Sequence, residues 1–382
     1  MSRLEQLIAE LCPGGVEYVK LGEVTEILRG KRLTKSQLSN IEQYPVFHGG
    51  LEPLGYYTHH NRKADTVMVI NVGASAGTVG YSSVDFWSSD GCFCVGHSDL
   101  FLSRYIYYAL LCQETFLRSR VRFAGIPTLD GAVVERTKIP LPPLPVQQEI
   151  VRILDNFTEL TAELTAELTA RRKQYEYYRD LLLTMEDKPE TKWMKLGEIA
   201  DFRNGKGHEK AIAEDGKFIV VNSKFISTNG QVVKFTNQQI SPLYIEDILI
   251  VMSDLPNGKA LAKCFLVDEN NRYTLNQRIG ALRVKNKNII DTKFLYYFLN
   301  RNRQLLKYDN GVDQTNLKKN EILSVNIPII PLKEQKRIVA ILDRFDALCN
   351  DLTSGIPAEI EARQKQYEYY RDKLLSFKEV TA

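Results

Sequence analysis

The 382-residue chain is 44% hydrophobic and 25% charged, the mix of a folded globular protein. Its length is a prior for two or three domains, and the composition excludes disorder, a collagen-like repeat and a disulfide scaffold. Fifty Lys+Arg against 47 Asp+Glu leave +3, so no global basic character announces a nucleic-acid partner.

Taken in chain order, the opening segment MSRLEQLIAELCPGG has two Glu inside its apolar stretch and does not read as a signal peptide. No apolar run of about 18 residues follows, so no membrane span is expected. Six scattered cysteines (Cys12, Cys92, Cys94, Cys112, Cys264, Cys349) form no C-x-x-C pair, which fits free thiols in a reducing cytoplasm. Cys92 and Cys94 in GCFCVG read as two small residues on one strand face rather than a metal pair.

YVKLGEVTEILRGK (residues 18–31) then opens a region of short β-rich runs punctuated by Gly, Asn and Pro, such as TVMVINVG (66–73). An amphipathic helix, FLSRYIYYALL (101–111), and a Pro-rich hinge, LPPLP (141–145), close it. Residues 147–184 contain no Gly or Pro. As one helix they would span about 57 Å. Ile150, Leu154, Phe157, Leu160, Leu164, Leu168, Tyr175, Tyr178 and Leu182 form one apolar stripe along it. Within it, residues 161–170 read TAELTAELTA, an iterated four-residue unit.

The pattern then starts again. WMKLGEIADFRNGK (193–206) repeats the opening at an offset of 175 residues. KFIVVNS (217–223) is a strand, TKFLYYFLN (292–300) a helix, and IPIIP (327–331) the hinge. IPIIPLKEQKRIVAILD (327–343) repeats IPLPPLPVQQEIVRILD (139–155) at an offset of 188, and QYEYYRD occurs identically at 174–180 and 366–372. The second stripe runs through Ile338, Ile341, Phe345, Leu348, Leu352, Ile360, Tyr367, Tyr370 and Leu374. SGIP (354–357) interrupts it and should kink or loosen that helix. The chain is therefore a tandem duplication, each copy a mixed α/β head and a long helix. A narrow stripe on so long a helix needs a partner, and the other copy supplies one. An antiparallel pairing would place the heads at opposite ends of a rod, related by an approximate two-fold.

Charge differs between segments. Residues 1–145 hold 14 basic and 14 acidic residues, 146–190 hold 6 and 10, 191–330 hold 21 and 14, and 331–382 hold 9 and 9. The second head is thus +7, a plausible phosphate footprint. Loops suited to base edges lie in both heads. Arg29, Lys31 and Arg32 surround Gly30, with Lys35 nearby; Arg203 and Lys206 flank Asn204 and Gly205. Lys259, then Asn276, Gln277 and Arg278 in LNQR, and Gln314 and Lys318 in GVDQTNLKK complete the DNA-binding candidates. Arg forks suit guanine and phosphate, and Asn or Gln amides suit adenine.

No reaction centre emerges. VGASAGTVG lacks the dinucleotide-binding spacing, and NGKA lacks the glycine and hydroxyl of a phosphate loop. The five histidines (His48, His59, His60, His97, His208) form no metal pattern.

In the order and spacing of head, hinge-plus-helix, head, hinge-plus-helix, the whole chain resembles the specificity subunit of type I restriction–modification systems. The resemblance implies an α+β protein: two target-recognition domains (1–145 and 191–330) and two conserved spacer helices (146–190 and 331–382), coiled-coil-like and antiparallel. It implies that each domain reads one half of an asymmetric bipartite duplex DNA site. The helices would dock two modification (methyltransferase) subunits, with restriction (translocase and nuclease) subunits joining them. Gln147, Tyr175, Tyr178, Gln335, Tyr367 and Tyr370 would lie where partners dock. AdoMet, ATP and Mg²⁺ would belong to those partners and not to this non-catalytic chain. SGIP departs from exact helix symmetry. The alternative reading is a symmetric coiled-coil scaffold that binds only proteins.

Overall fold

A computed structural model describes residues 2–185, 191–208, 211–255, 260–351 and 353–380. Two compact units form, and they are not the two halves of the sequence. One comprises residues 1–166 with 358–382, the other residues 167–357.

In the first unit a four-stranded antiparallel sheet has the spatial order Ile27–Arg29, Cys92–Val95, Thr66–Ile70, Val79–Ser82. Thr66–Ile70 is buried at every position, which its unbroken apolar run requires. A three-stranded sheet (Gly55–Tyr57, Tyr44–Phe47, Trp87–Ser88) lies beside it. Phe47, Met68, Ile70, Phe86, Cys92 and Cys94 form one core cluster of this head. Helix Ser103–Cys112 packs Tyr105, Ile106, Tyr108 and Leu110 into a larger core with Val67, Val69 and Val95. The second head repeats the plan: Ala200–Asn204, Ile279–Val284, Ile248–Val251, Cys264–Leu266 in one sheet, and Phe235–Thr236, Phe218–Val221, Tyr273–Leu275 in the other. Helix Thr292–Leu299 takes the place of Ser103–Cys112. All six cysteines are free thiols, Cys92 and Cys94 both fully buried on their strand.

Leu144–Leu183 is one unbroken helix of 40 residues. Ala, Leu and Glu are strong helix formers. The threonines of its middle satisfy their hydroxyls internally: Thr161 donates to the Phe157 carbonyl (2.9 Å) and Thr165 to that of Thr161 (2.8 Å). The second copy is broken at SGIP into Leu332–Asn350 and Ile356–Leu374. Asp351 caps the break, accepting from the backbone of Thr353 (2.7 Å) and the hydroxyl of Ser354 (2.6 Å). These bonds hold its carboxyl well below the usual carboxylate range. A Cβ on Gly355 would stand 2.6 Å from the Ala347 carbonyl oxygen, so the turn admits no side chain there.

Within each unit, the head's own outgoing helix meets a returning segment from the other copy. In the first, the long helix leaves the head at its N-terminal end, burying Val146, Ile150 and Leu154. Ile356–Leu374 comes back at its C-terminal end, where Leu374 and Leu375 join the same core, so the pair runs antiparallel. Phe157 stacks on Tyr370 with ring centroids 5.5 Å apart. In the second unit, Leu332–Asn350 leaves its head, burying Ile338 and Leu342, and the last turns of the long helix return beside it. Tyr178 stacks on Phe345 at 5.7 Å. The two stacks are the same pair of repeat positions with the copies exchanged.

The expected stripes are only partly buried. Leu160 and Leu348 are 44% and 39% exposed; on the long helix the buried residues lie in the turns nearest the head. Leu352 lies outside the described residues. The C-terminal segment also seals the first head: Val16 N–H donates to the Lys378 carbonyl (2.8 Å) and Tyr18 Oη to that of Phe377 (3.2 Å).

Candidate nucleic-acid interface

The turn after strand Ala200–Asn204 is built around Gly205, whose missing Cβ would stand 2.0 Å from the Asn276 carbonyl oxygen. That contact presses Lys206 against the LNQR turn, where its N–H donates to the Leu275 carbonyl (3.1 Å). His208, 1% exposed, fixes the same turn with one ring nitrogen 2.8 Å from the Lys206 carbonyl oxygen and the other 2.9 Å from Thr274 Oγ1. Met252 then ties in a third segment, its N–H donating to the Arg278 carbonyl (3.1 Å) and its own carbonyl accepting from Leu317 (2.7 Å). Gln314 Nε2 donates to Ser253 Oγ at 2.8 Å. Lys206, Asn276, Gln277, Arg278 and Gln314 are thereby carried on adjoining turns at one end of the second head. Lys206, Gln277, Arg278 and Gln314 are exposed, and so are Asn204 and Lys318, the latter heading the short helix Lys319–Leu323. Lys259 lies outside the described residues.

Arg203 does not belong to this group. Its guanidinium donates to Asp247 (2.8 Å) and to the Pro242 carbonyl (2.9 Å), while Arg283 donates to the other oxygen of Asp247 at 2.7 Å. Asp247 is fully buried, and a buried carboxylate requires such partners. Arg203 is a structural counter-ion, which its sequence neighbours gave no means of seeing.

The first head has the same frame with other side chains. A Cβ on Gly30 would stand 1.9 Å from the Ser89 carbonyl oxygen, and Lys31 N–H donates to the Ser88 carbonyl (2.9 Å). Asn71 N–H donates to the Gly91 carbonyl (3.1 Å) and its own carbonyl accepts from Leu129 (2.8 Å). Lys31 therefore corresponds to Lys206, and Ser89–Asp90–Gly91 to Asn276–Gln277–Arg278. Arg29, Lys31, Arg32 and Lys35 are all exposed here. His48 accepts from Gly91 N–H (3.2 Å) and lies 3.4 Å from Asp90. Ser89, Asp90 and His48 escaped the sequence reading, since WSSDG and TLNQR share no residue in register.

Gln147 and Gln335 are corrected by their surroundings. Both are fully buried. Gln147 accepts from Leu102 N–H (2.9 Å) and donates to the Leu100 and Pro142 carbonyls (3.1 and 2.8 Å). Gln335 accepts from Asp291 N–H (2.7 Å) and donates to the Ile289 and Ile330 carbonyls (3.0 and 2.8 Å). Each fastens a helix to its head, and neither reaches a surface. Tyr175 and Tyr367 are half-buried in the helix–head packing, while Tyr178 and Tyr370, each 37% exposed, form the two stacks. The most exposed aromatic positions of the repeated heptapeptide are Tyr177 and Tyr369, at 64% and 61%. Identity of the two heptapeptides could have singled them out; only burial sorts the three tyrosines.

Among the described residues no group of His, Cys, Asp and Glu is placed to hold a metal ion, and no helix is long and apolar enough to cross a membrane.

The two heads thus share a backbone frame and differ in the side chains it carries; in the first, Ser89 and Gly91 are buried and Asp90 is partly exposed. The chain matches the type I restriction modification DNA specificity domain over residues 13–171 and again over 189–362, and it belongs to that family. Membership places it with specificity rather than catalytic subunits. It is 36% identical to the EcoR124I/EcoR124II specificity subunit of Escherichia coli over 264 residues, 63% of either chain. The putative type I restriction enzyme specificity subunit S.HindORF215P of Haemophilus influenzae is 30% identical over 385 residues, covering 95% of this chain and 96% of that one. The fold is shared with the crystal structure of a type I S subunit from M. genitalium, with TM-score 0.60 at 19% identity, over 94% of this chain and 96% of that one.

Proposed function

We propose that this chain reads a two-part DNA target, one half-site per head, through the turns around Lys31 and Ser89–Gly91 in one head and Lys206 and Asn276–Arg278 in the other. The reading is carried by one observation: the same backbone frame holds Ser-Asp-Gly in the first head and Asn-Gln-Arg in the second. Equal frames with unequal hydrogen-bonding groups suit recognition of two different base sequences. The exposed lysines and arginines around them would supply phosphate contacts that set register.

The helices in this reading are the spacer and the docking surface. Tyr177 and Tyr369, alike in sequence and exposure, suit two copies of one partner, a modification subunit, with restriction subunits added to it. AdoMet, ATP and Mg²⁺ are assigned to those partners, and the assembly to the cytoplasm. Binding of the full chain to duplex DNA, followed against salt concentration, tests the proposal. Phosphate contacts give a linear fall of log affinity with log salt. Salt-independent or absent DNA binding would leave the protein-scaffold reading in its place.

A further inference from the structure

Each head carries an exposed apolar side chain directly after a left-handed glycine, in matching loops. In the first, Gly125 has φ +90°, Ile126 after it is 70% exposed, and Phe123 before it is 75% exposed. In the second, Gly311 has φ +68° and Val312 is 74% exposed. The loops end on buried leucines, Leu129 and Leu317, whose N–H groups donate to the carbonyls of Asn71 (2.8 Å) and Met252 (2.7 Å). Those same two residues donate to the carbonyls of Gly91 and Arg278 in the polar turns, each at 3.1 Å. One residue in each head thus joins an apolar tip to a base-reading turn. Asn71 is itself 6% exposed, and its Oδ1 is buried without a donor among the described residues.

The occupant is chosen by charge. Arg118, Arg120 and Arg122 precede Phe123, the last of them 76% exposed and 3.4 Å from Asp130. In the second head Asp309 and the exposed Asp313 lie closer in the chain to Val312 than Lys318 and Lys319 do, so charge selects the occupant at the first tip alone, and Val312 is assigned by its matching place on the frame. An apolar tip next to basic side chains, as in the first head, matches a nucleic-acid groove, where phosphates flank base edges that carry methyl groups and stacked faces.

We propose that Phe123 and Ile126 in the first head and Val312 in the second are apolar base contacts, set beside the polar turns and reading the same half-sites. The inference rests on the DNA-reading function proposed above. It assigns specificity to residues that neither charge nor hydrogen-bonding capacity would select.

The test uses the full chain, a random-sequence duplex library and selection of bound sequences at several salt concentrations. Phe123→Ser with Ile126→Ser should weaken binding to the selected site about tenfold and relax base preference in one half-site only. Val312→Ser should relax the other. The slope of log affinity against log salt should stay unchanged, since no phosphate contact is removed. The thermal midpoints should hold, because the side chains are exposed in the free chain. Unchanged affinity and base preference in variants of a chain that does bind duplex DNA would overturn this inference alone. No salt-dependent DNA binding by the unaltered chain would overturn it together with the proposed function.

Discussion

Asp343 accepts a hydrogen bond from the phenol of Tyr297 at 2.7 Å, and this contact ties the second head to its outgoing helix. Lys293 donates to the other carboxylate oxygen at 2.7 Å. The first unit repeats the joint at Asp155, which accepts from the Tyr108 phenol and from Arg104 Nε (2.8 Å). Each head thus grips its helix by a buried glutamine and, two turns further on, by an aspartate held by a tyrosine and a cation.

Burial, and then the bond to Asp343, push the Tyr297 phenol well above its ordinary value near 10. The unfolded chain releases this proton first, so the joint's contribution is complete below pH 10 and is lost as pH climbs toward the folded value. Denaturant titrations should show stability falling above about pH 10, with a shallower fall in Tyr297→Phe. An identical pH profile in that variant would exclude Tyr297 as a contributor.

Arg203 and Lys206 are three residues apart and should behave oppositely. Arg203→Ala leaves the buried Asp247 with Arg283 and the Tyr244 N–H but one cation fewer, and should destabilise the second unit by about 1.5 kcal/mol. Lys206→Ala should leave stability within about 0.5 kcal/mol and reduce the salt slope of DNA binding by about one. Calorimetry and a salt titration on both variants separate the two roles.

Gln147 and Tyr177 form a second contrast. Gln147→Ala strands buried polar groups at Leu100, Leu102 and Pro142 and should destabilise the first unit by about 2 kcal/mol. Tyr177→Ala and Tyr369→Ala should leave unfolding unchanged and lower the yield of complex in co-purification with a modification subunit. Full recovery of that complex would remove both tyrosines from the docking surface.

The TAEL repeat yields a spacing prediction. Four helical residues advance about 6 Å and leave a net rotation of about 40°. One base pair rises about 3.4 Å per strand step and turns by a similar angle. Deleting residues 163–166 should shorten the unread spacer by about one base pair while the bases of both half-sites stay the same. Methylation-motif sequencing checks this, and an unaltered spacer would count against it.

The duplication, the helix positions and a disturbance at SGIP were legible because periodicity and repetition are local properties; that the disturbance is a full break into two helices was not. Most of Leu144–Leu183 follows from the absence of Gly and Pro after the hinge, although its first turn takes in Leu144 and Pro145 of the hinge itself, and the β-rich runs became strands at Thr66–Ile70 and Phe218–Val221. The site was half legible. Gly30 and Gly205 announced close backbone approaches, and Lys31 and Lys206 duly sit beside the polar turns. Arg203 misled because its partner, Asp247, is 44 residues away in sequence. Gln147 and Gln335 misled because a repeated residue is kept as readily for a buried joint as for a surface. The composition of each compact unit was also hidden, since helix pairing between copies is a tertiary fact.

The central claim, that each head reads its own half-site, is tested most directly by exchanging one head. Residues 193–330 are replaced by the corresponding segment of a related chain, the hybrid is co-expressed with a modification subunit, and its methylation motif is sequenced. The account predicts one half-site replaced, with the other half-site and the spacer retained. A motif changed in both halves, or unchanged in both, would contradict it.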